Sequence, residues 1–205
     1  MELKIFQTGP FQVNTYLVYD NKSKEGIIID VGGSVDEIIQ EAKNSGINIK
    51  YILNTHGHFD HILGTKEMCE KLNIGFYIHE NDAIFVESLE DQLDLYGFPP
   101  VAPPQIKGFI SKDSEFSIGD TKIEVIETPG HTPGGVCFLI DNILFSGDTL
   151  FCESIGRTDL PGGDYAQLQQ SIKNNLFTLD ENIVVYPGHD QSTTISHEKK
   201  WNQFV

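Results

Sequence analysis

Short apolar runs followed by turn residues recur along the chain and predict a series of buried strands. Most residues in these runs are β-branched or aromatic, and each run is followed closely by Asp, Asn, Gly or Pro, a combination typical of strands. The clearest runs cover residues 15–19, 26–29, 49–53, 123–126, 143–145 and 183–186.

Helical stretches lie between these runs, at residues 34–44, 62–72 and 165–176. Ser34 is expected to cap the first helix, with Glu37 at the matching position of a capping box. Because strands alternate with helices, we expect an α/β protein whose helices cover the sheets. Glycine and proline gather at strand ends rather than in a linker, so residues 1–205 are interpreted as one domain.

Residues 87–105 form the one long stretch without a regular pattern. This stretch contains the sequence Tyr96-Gly97-Phe98-Pro99-Pro100. Two interpretations fit it: a connecting loop, or a flap over a site, because long structured loops often carry function.

Composition and charge narrow the class of protein. The chain has 205 residues, enough to bury a full core, and 39% of them are hydrophobic, as in a globular protein. Its 14 Lys and Arg against 30 Asp and Glu give a net charge of 14 − 30 = −16. Such acidity disfavours both nucleic acid and anionic membrane surfaces as partners.

Neither a membrane span nor a secretion signal is recognisable. No apolar run approaches 18 residues, and the start, MELKIFQTGP, has neither a basic nor a hydrophobic stretch. We therefore expect a cytoplasmic protein.

Cys69, Cys137 and Cys152 are far apart and form no CxxC pair, so each is expected to be a reduced core residue.

The strongest chemical signal is a cluster of metal-ligand residues directly after the run at 49–53. In Thr55-His56-Gly57-His58-Phe59-Asp60-His61, three imidazoles and one carboxylate lie within six positions. Imidazole and carboxylate suit borderline divalent metals, and a sharp turn at Gly57 allows alternate side chains to face one point. The cluster predicts a metal site.

Three further residues have the same local setting. His131, Asp148 and His189 each follow an apolar run and stand beside a glycine. Ligands of open α/β sheets collect beyond the carboxyl ends of strands, so we expect these loops to converge with the first cluster. Asp30 also follows a run, and it either supports a ligand loop or caps a turn.

Two other histidines are left outside the predicted site. His79 is expected at a helix entry or on the surface, and His197, beside Glu198-Lys199-Lys200, is expected to be exposed.

The order of these motifs resembles the metallo-β-lactamase superfamily. HxHxDH is followed by TPGHTPGG, FSGDTLF and YPGHD, and the similarity runs from about residue 2 to residue 204. Within the superfamily, SIGRTDLPGGD and TTISHEKKWNQF are most similar to short glyoxalase II-like proteins. The resemblance implies a four-layer αββα sandwich with a dinuclear metal site at one edge.

The resemblance also implies the ligand set and the reaction. One metal would be held by His56, His58 and His131, and the other by Asp60, His61 and His189, with Asp148 bridging. Zinc is the expected metal, with iron or manganese as alternatives. Asp60 and Asp148 would be the catalytic side chains around a metal-bridging hydroxide, the nucleophile in the hydrolysis of an acylglutathione thioester.

Elementary chemistry agrees with a thioester substrate. A thiolate, whose parent pKa is about 8.5, leaves without strong protonation, whereas an amide nitrogen needs a general acid that the sequence does not supply. There is also no GxSxG motif for a serine nucleophile.

Arg157 is the only arginine, and two roles fit it: substrate binding, or a pair with Asp159 that locks its own loop.

Glyoxalase II enzymes of fuller length take glutathione-binding residues from a further helical domain. We expect this chain, in which sixteen residues follow His189, to lack that domain, so glutathione recognition stays open.

One alternative enzyme class shares the same motifs. Persulfide dioxygenases of the superfamily also carry HxHxDH and a GRTD segment, and a single iron would then use His58, His131 and Asp148. Asp60 and His189 would stay off that iron. A metal-stabilised binding module is a third alternative, although structural zinc sites are usually closed and rich in thiolates.

Overall fold

Strand β2 (Val13–Tyr19) is buried along its whole length because its two faces contact different cores. The computed structural model describes residues 1–205. Tyr16 and Val18 point to one core, and Leu17 and Tyr19 point to the other. Successive side chains of a strand alternate between faces, so a strand buried on both sides belongs to an inner layer.

Two six-stranded sheets form the inner layers. In spatial order the first contains β1 (Glu2–Thr8), β2, β3 (Glu25–Ile29), β4 (Asn48–Leu53), β5 (Gly75–His79) and β6 (Ile106–Ile110). The second contains β14 (Thr193–Thr194), β13 (Val184–Pro187), β10 (Ile143–Gly147), β9 (Val136–Ile140), β8 (Thr121–Glu127) and β7 (Phe116–Ile118). Strands β3 to β6 are parallel to one another, and so are β10 and β13. A separate hairpin joins β11 (Leu150–Phe151) to β12 (Ser154–Ile155).

Helices cover the outer faces of both sheets. They are α1 (Asp36–Ser45), α2 (Phe59–Ile62), α3 (Thr65–Leu72), α4 (Ala83–Glu87), α5 (Leu89–Leu95), α6 (Tyr165–Ser171) and α7 (Ile195–Trp201). Three apolar clusters fill the interfaces: one between the sheets, one between the first sheet and helices α1 to α5, and one between the second sheet and α6 and α7. The four-layer αββα sandwich is therefore confirmed.

All six predicted strands are present, but the first predicted helix begins later than expected. The helix starts at Asp36 after Val35, and no side chain caps it, so the prediction that Ser34 is the cap is wrong. Val35 is buried in the outer cluster, and its packing fixes the entry of the chain. At the other end Gly46 adopts the left-handed conformation, with φ 67°, that closes a helix.

The second predicted helix, 62–72, is two helices rather than one. The chain breaks at Gly64, whose N–H donates to Val31 O at 2.9 Å and thereby ties this turn to the end of β3. A side chain at this position would collide with the carbonyl of Gly33, so glycine is required. The third predicted helix, 165–176, is present as α6 followed by a wider turn over Ile172–Leu176, and Asp164 caps it.

Residues 87–105 are partly helical, contrary to the expectation of an irregular stretch. Helix α5 lies inside the segment, and Leu89 and Leu93 anchor it in the outer cluster. Residues 96–105 have no helix or strand, as expected.

The cysteines carry no disulfide. Cys137 is fully buried and Cys69 packs against the outer cluster, and burial raises the pKa of both thiols to about 11. Cys152 is half-buried, lies outside the three apolar clusters and accepts a hydrogen bond from Gln191, so the expectation of a core residue is wrong for this cysteine. No helix is both long and apolar enough to cross a membrane.

The cluster between the sheets predicts where the fold is most sensitive. Phe138 is fully buried there, so Phe138→Ala is expected to lower the free energy of unfolding by about 3 to 5 kcal/mol. Urea denaturation measures this change. Phe109→Ala, on the edge strand β6, is the matched control: its ring is 52% exposed, so the expected loss is below about 0.5 kcal/mol. Equal losses in the two variants would contradict this assignment of the core.

Candidate metal centre

Asp30 fixes the loop that follows β4. Its carboxylate is buried and accepts three hydrogen bonds: from Thr55 N at 2.8 Å, from Thr55 Oγ1 at 2.7 Å and from His61 Nδ1 at 2.9 Å. Asp30 itself has a positive φ of 51°, which turns the chain at the end of β3. Of the two roles considered for Asp30, support of the ligand loop is therefore the one found.

Hydrogen bonds at Nδ1 orient four imidazoles so that Nε2 points to a common centre. His56 Nδ1 donates to Thr55 Oγ1 at 3.1 Å and His61 Nδ1 donates to Asp30. From the other loops, His131 Nδ1 donates to the carbonyl of Arg157 at 2.7 Å, and His189 Nδ1 donates to the carbonyl of Phe11 at 3.1 Å. A fixed Nδ1–H turns Nε2 towards the centre, and Nε2 is the ring nitrogen that a metal there would bind.

His58 presents its other ring nitrogen. Its Nδ1 lies 2.9 Å from His131 Nε2, and the two rings are perpendicular.

The structure brings the predicted ligands together as two adjacent groups. In each group the potential ligand atoms lie within 4.8 Å of one another. One group is His56, His58 and His131, and the other is Asp60, His61 and His189.

Asp148 stands between the two groups. Its Oδ1 lies 3.3 Å from His61 Nε2, and its Oδ2 lies 3.6 Å from His131 Nε2 and 3.7 Å from His189 Nε2. One carboxylate is therefore within reach of both groups, at the end of β10.

The donor atoms and the space between them fit divalent cations. His56 Nε2 and Asp148 Oδ1 are buried and have no hydrogen-bond partner, which is costly unless another group binds them. Gly188 closes the cradle: a Cβ there would fall on Asp148 Oδ1 and would lie 2.6 Å from His61 Cε1. Imidazole and carboxylate donors of this kind suit Zn²⁺, Fe²⁺ and Mn²⁺.

Charge within the cluster separates the protonation states of its members. Burial, with His61 as the strongest charged neighbour, holds the pKa of His56 well below its usual range. Burial likewise lowers the pKa of His58 to about 3. Burial alone would raise the pKa of Asp148, but His61, His56 and His131 outweigh it and hold that pKa well below normal. His56, His58 and Asp148 therefore keep their lone pairs over the physiological pH range.

The cluster opens into a pocket of about 310 Å³. His56 and His61 lie behind the pocket wall, and the side chains of Asp60, Asp148 and His189 are 15%, 14% and 23% exposed towards it. The remaining walls come from the turn after β1, from α2 and α4, from α5 with the residue that follows it, and from the segment after β12. A small molecule reaches the cluster from this side.

Arg157 lines the same pocket and is also paired. Its Nε and a terminal N–H donate to Asp159 at 2.7 and 2.8 Å, so its guanidinium already binds a carboxylate. Its carbonyl accepts from His131, which links the loop to the cluster.

The histidines left out of the site lie away from this centre, as expected. The His79 side chain accepts a hydrogen bond from Asn81 N at the start of a short helical turn, and the half-exposed His197 pairs with Glu153.

The sequence pattern does not single out Asp82, which joins two of the ligand loops. Its buried carboxylate accepts from Gly57 N at 2.9 Å, from Thr132 Oγ1 at 2.8 Å and from Gly134 N at 2.6 Å. Burial raises the pKa of Asp82, although these hydrogen bonds oppose the shift. Asp82 is the last residue of the short helical turn Glu80–Asp82 and does not directly follow an apolar run, so the pattern that located the other residues does not include it.

Comparison with known proteins agrees with this geometry. A family model described as the metallo-beta-lactamase superfamily matches residues 8–189. The hydroxyacylglutathione hydrolase GloC of Haemophilus influenzae is 34% identical over 209 residues, which cover 100% of this chain and 98% of that protein. Among solved structures, BLEG-1 B3 metallo-beta-lactamase has a TM-score of 0.91 at 35% identity and 99% coverage of both chains. TTHA1623 in a di-iron-bound form has a TM-score of 0.88 at 32% identity, covering 98% of this chain and 100% of that one.

The chain belongs to the metallo-β-lactamase superfamily, and the family predicted from its motifs is confirmed. Membership supports an enzyme, and the His and Asp cluster of the chain is of the type that holds divalent metals.

The bonds made by Asp82 predict an effect on metal affinity without loss of a ligand. Asp82→Ala leaves three buried donors unpaired and frees both loops, so metal affinity is expected to fall about 10- to 100-fold. Competition with a chromophoric chelator measures it. Asp82→Asn keeps one acceptor oxygen, so its metal affinity should lie between those of the wild type and Asp82→Ala. Glu80→Ala, an exposed change in the same turn, should leave metal affinity unchanged. Unaltered affinity in Asp82→Ala would exclude this role.

Proposed function

We propose that this protein is a metal-dependent hydrolase of thioesters that holds two divalent cations. His56, His58 and His131 would bind one cation, and Asp60, His61 and His189 would bind the other. Asp148 would bind both. The observation that carries this proposal is the position of Asp148 within 4 Å of members of both groups.

Two cations so placed would supply a water of lowered pKa as nucleophile and would polarise the carbonyl under attack. The chain's own residues prepare the site for this chemistry. Asp60 and Asp148 face the pocket through which a substrate would approach, and Asp60 Oδ2 lies 3.4 Å from His189 Nε2. These positions support the catalytic roles proposed for both carboxylates.

The pocket lining favours a thioester over an amide. Apart from the cluster, the hydroxyl of Tyr96 is the one lining group that could protonate a leaving nitrogen, and no carboxyl, imidazole or ammonium group is present. A thiolate needs little protonation, so such a site suits a thioester. The similarity to GloC, which is named a hydroxyacylglutathione hydrolase, supports the same choice.

A single-iron dioxygenase would use only part of this geometry. A mononuclear site built from His58, His131 and Asp148 would leave Asp60, His61 and His189 as a second complete group of ligand atoms without an ion. In the proposed two-cation site, Asp148 lies between the groups and each group binds one cation.

Removal of metal and removal of Asp148 are expected to have matching effects. Treatment with a chelator should abolish thioester hydrolysis, and zinc, iron or manganese should restore it. Asp148→Ala deprives both groups of a ligand, so the variant should bind less metal. Its kcat should fall at least about 100-fold. Elemental analysis and a thiol-release assay measure the two effects. Asp120→Ala, at an exposed turn, is the control and should retain both. Two bound metals and near-normal turnover in Asp148→Ala would disprove the bridging role.

A substrate panel separates the two enzyme classes. We expect thiol release from acylglutathione or other acyl-thiols, with about two metals per chain and no oxygen uptake. One iron per chain, with oxygen consumed when glutathione persulfide is added, would establish the dioxygenase instead.

A further inference from the structure

The pocket beside the metal cluster is walled mainly by apolar side chains. These are Phe11, Phe59, Phe85, Leu95, Tyr96 and Leu160. Three of the rings form a continuous surface: the centroid distances are 5.4 Å for Phe11 to Phe59, 4.9 Å for Phe59 to Tyr96 and 6.2 Å for Phe11 to Tyr96. We call these three rings together with Leu95 the apolar wall.

The apolar wall is attached directly to the ligand loops. Phe59 stands between His58 and Asp60 in the chain, and the carbonyl of Phe11 accepts the hydrogen bond from His189. A molecule in contact with the wall therefore has its neighbouring atoms at the metal cluster.

Packing of the fold explains Phe59, which is 6% exposed and belongs to the outer cluster, but it does not explain the rest of the wall. On helix α5, Leu89 and Leu93 are buried in the outer cluster and anchor the helix. Leu95 and Tyr96, at its end, are 79% and 43% exposed, and Phe11 opposite is 42% exposed. Large apolar groups gathered around a concave site in contact with water are typical of a binding surface.

The polar side chains of the pocket outside the cluster are largely engaged. Gln92 Oε1 accepts from Phe59 N at 3.1 Å, and its Nε2 donates to Phe85 O at 2.6 Å. Arg157 is held by both oxygens of Asp159. Neither a carboxylate nor an ammonium group of a ligand finds an unpaired charged side chain on these walls.

We propose that the pocket selects thioesters by an apolar organic group, an aliphatic chain or an aromatic ring, that packs on the apolar wall while the carbonyl lies at the metal cluster. This inference rests on the proposed thioester hydrolysis and adds the substrate class. The group can belong to the acyl side or to the thiol side of the thioester, and the experiment distinguishes the two.

The first measurement is kcat/KM with one side of the substrate varied at a time. In the acyl series, acetyl, butanoyl and hexanoyl thioesters of N-acetylcysteamine keep the thiol constant. In the thiol series, acetyl thioesters of N-acetylcysteamine and of longer alkanethiols keep the acyl group constant. Along the series that enters the pocket, kcat/KM is expected to rise about fourfold per methylene until the pocket is full. A flat profile in both series overturns the proposal.

Variants locate the effect on the apolar wall. Leu95→Ala and Tyr96→Ala should each lower the ratio of kcat/KM for the longest substrate to kcat/KM for the shortest substrate about tenfold, in whichever series enters the pocket. The change should come from KM rather than kcat. Leu95 is so exposed that its replacement leaves the fold intact. Phe109→Ala, which removes an exposed ring outside the pocket, should leave the ratio unchanged. An equal ratio in all four proteins overturns the assignment to the wall.

Binding without turnover keeps the inference separate from the proposed function. Calorimetry with the S-methyl and S-hexyl thioethers of N-acetylcysteamine measures occupancy of the pocket by molecules that cannot be hydrolysed. Tighter binding of the hexyl compound, weakened in Leu95→Ala and in Tyr96→Ala, supports the apolar site even if no thioester is cleaved. If acetyl thioesters are cleaved but the two thioethers bind equally, the proposed function stands and the inference fails.

Discussion

The carboxylate of Asp30 makes the interaction on which the rest of the site depends. A buried carboxylate destabilises a fold unless donors surround it, and here the three donors all come from the loop between Thr55 and His61. Satisfying the charge therefore requires the loop to close over the end of β3. The same closure places His56 and His61 side by side, with ring centroids 4.1 Å apart. Local folding and ligand geometry are two results of one set of hydrogen bonds.

The second sheet adds its ligands to this loop by backbone contacts between the two sheets. Val136 N donates to Thr55 O at 2.9 Å, which sets the start of β9 and the nearby His131 against the first loop. Gly188 N donates to Gly147 O, and Asn14 N donates to Gly188 O, both at 2.8 Å. The strand ends that carry Asp148 and His189 are thus joined to each other and to the first sheet. Ligands that are far apart in sequence therefore hold fixed positions before any ion binds.

The sequence was informative where chemistry coincides with strand ends and silent where it depends on distant partners. Every ligand candidate follows an apolar run, and the structure collects all of them at one edge. Asp82 could not be found in this way, because its acceptor role depends on Gly57 and Thr132, which lie 25 and 50 positions away. Helix α5 was missed for a related reason: Leu89 and Leu93 supply its apolar stripe, but the Gly and Pro residues that follow concealed it. The capping error at Ser34 arose because burial of Val35, a tertiary contact, decided where the helix begins.

Charge and pocket lining together restrict what can approach the metals. The chain has a net charge of −16, and two divalent cations would change it only to −16 + 4 = −12. Long-range attraction therefore does not favour an anionic conjugate, and Arg157, the nearest cation of the pocket wall, is neutralised by Asp159. An uncharged apolar group meets neither obstacle, because its transfer from water to Phe11, Phe59 and Tyr96 depends on area and not on sign. Electrostatic repulsion at long range and apolar contact at short range select the same kind of molecule.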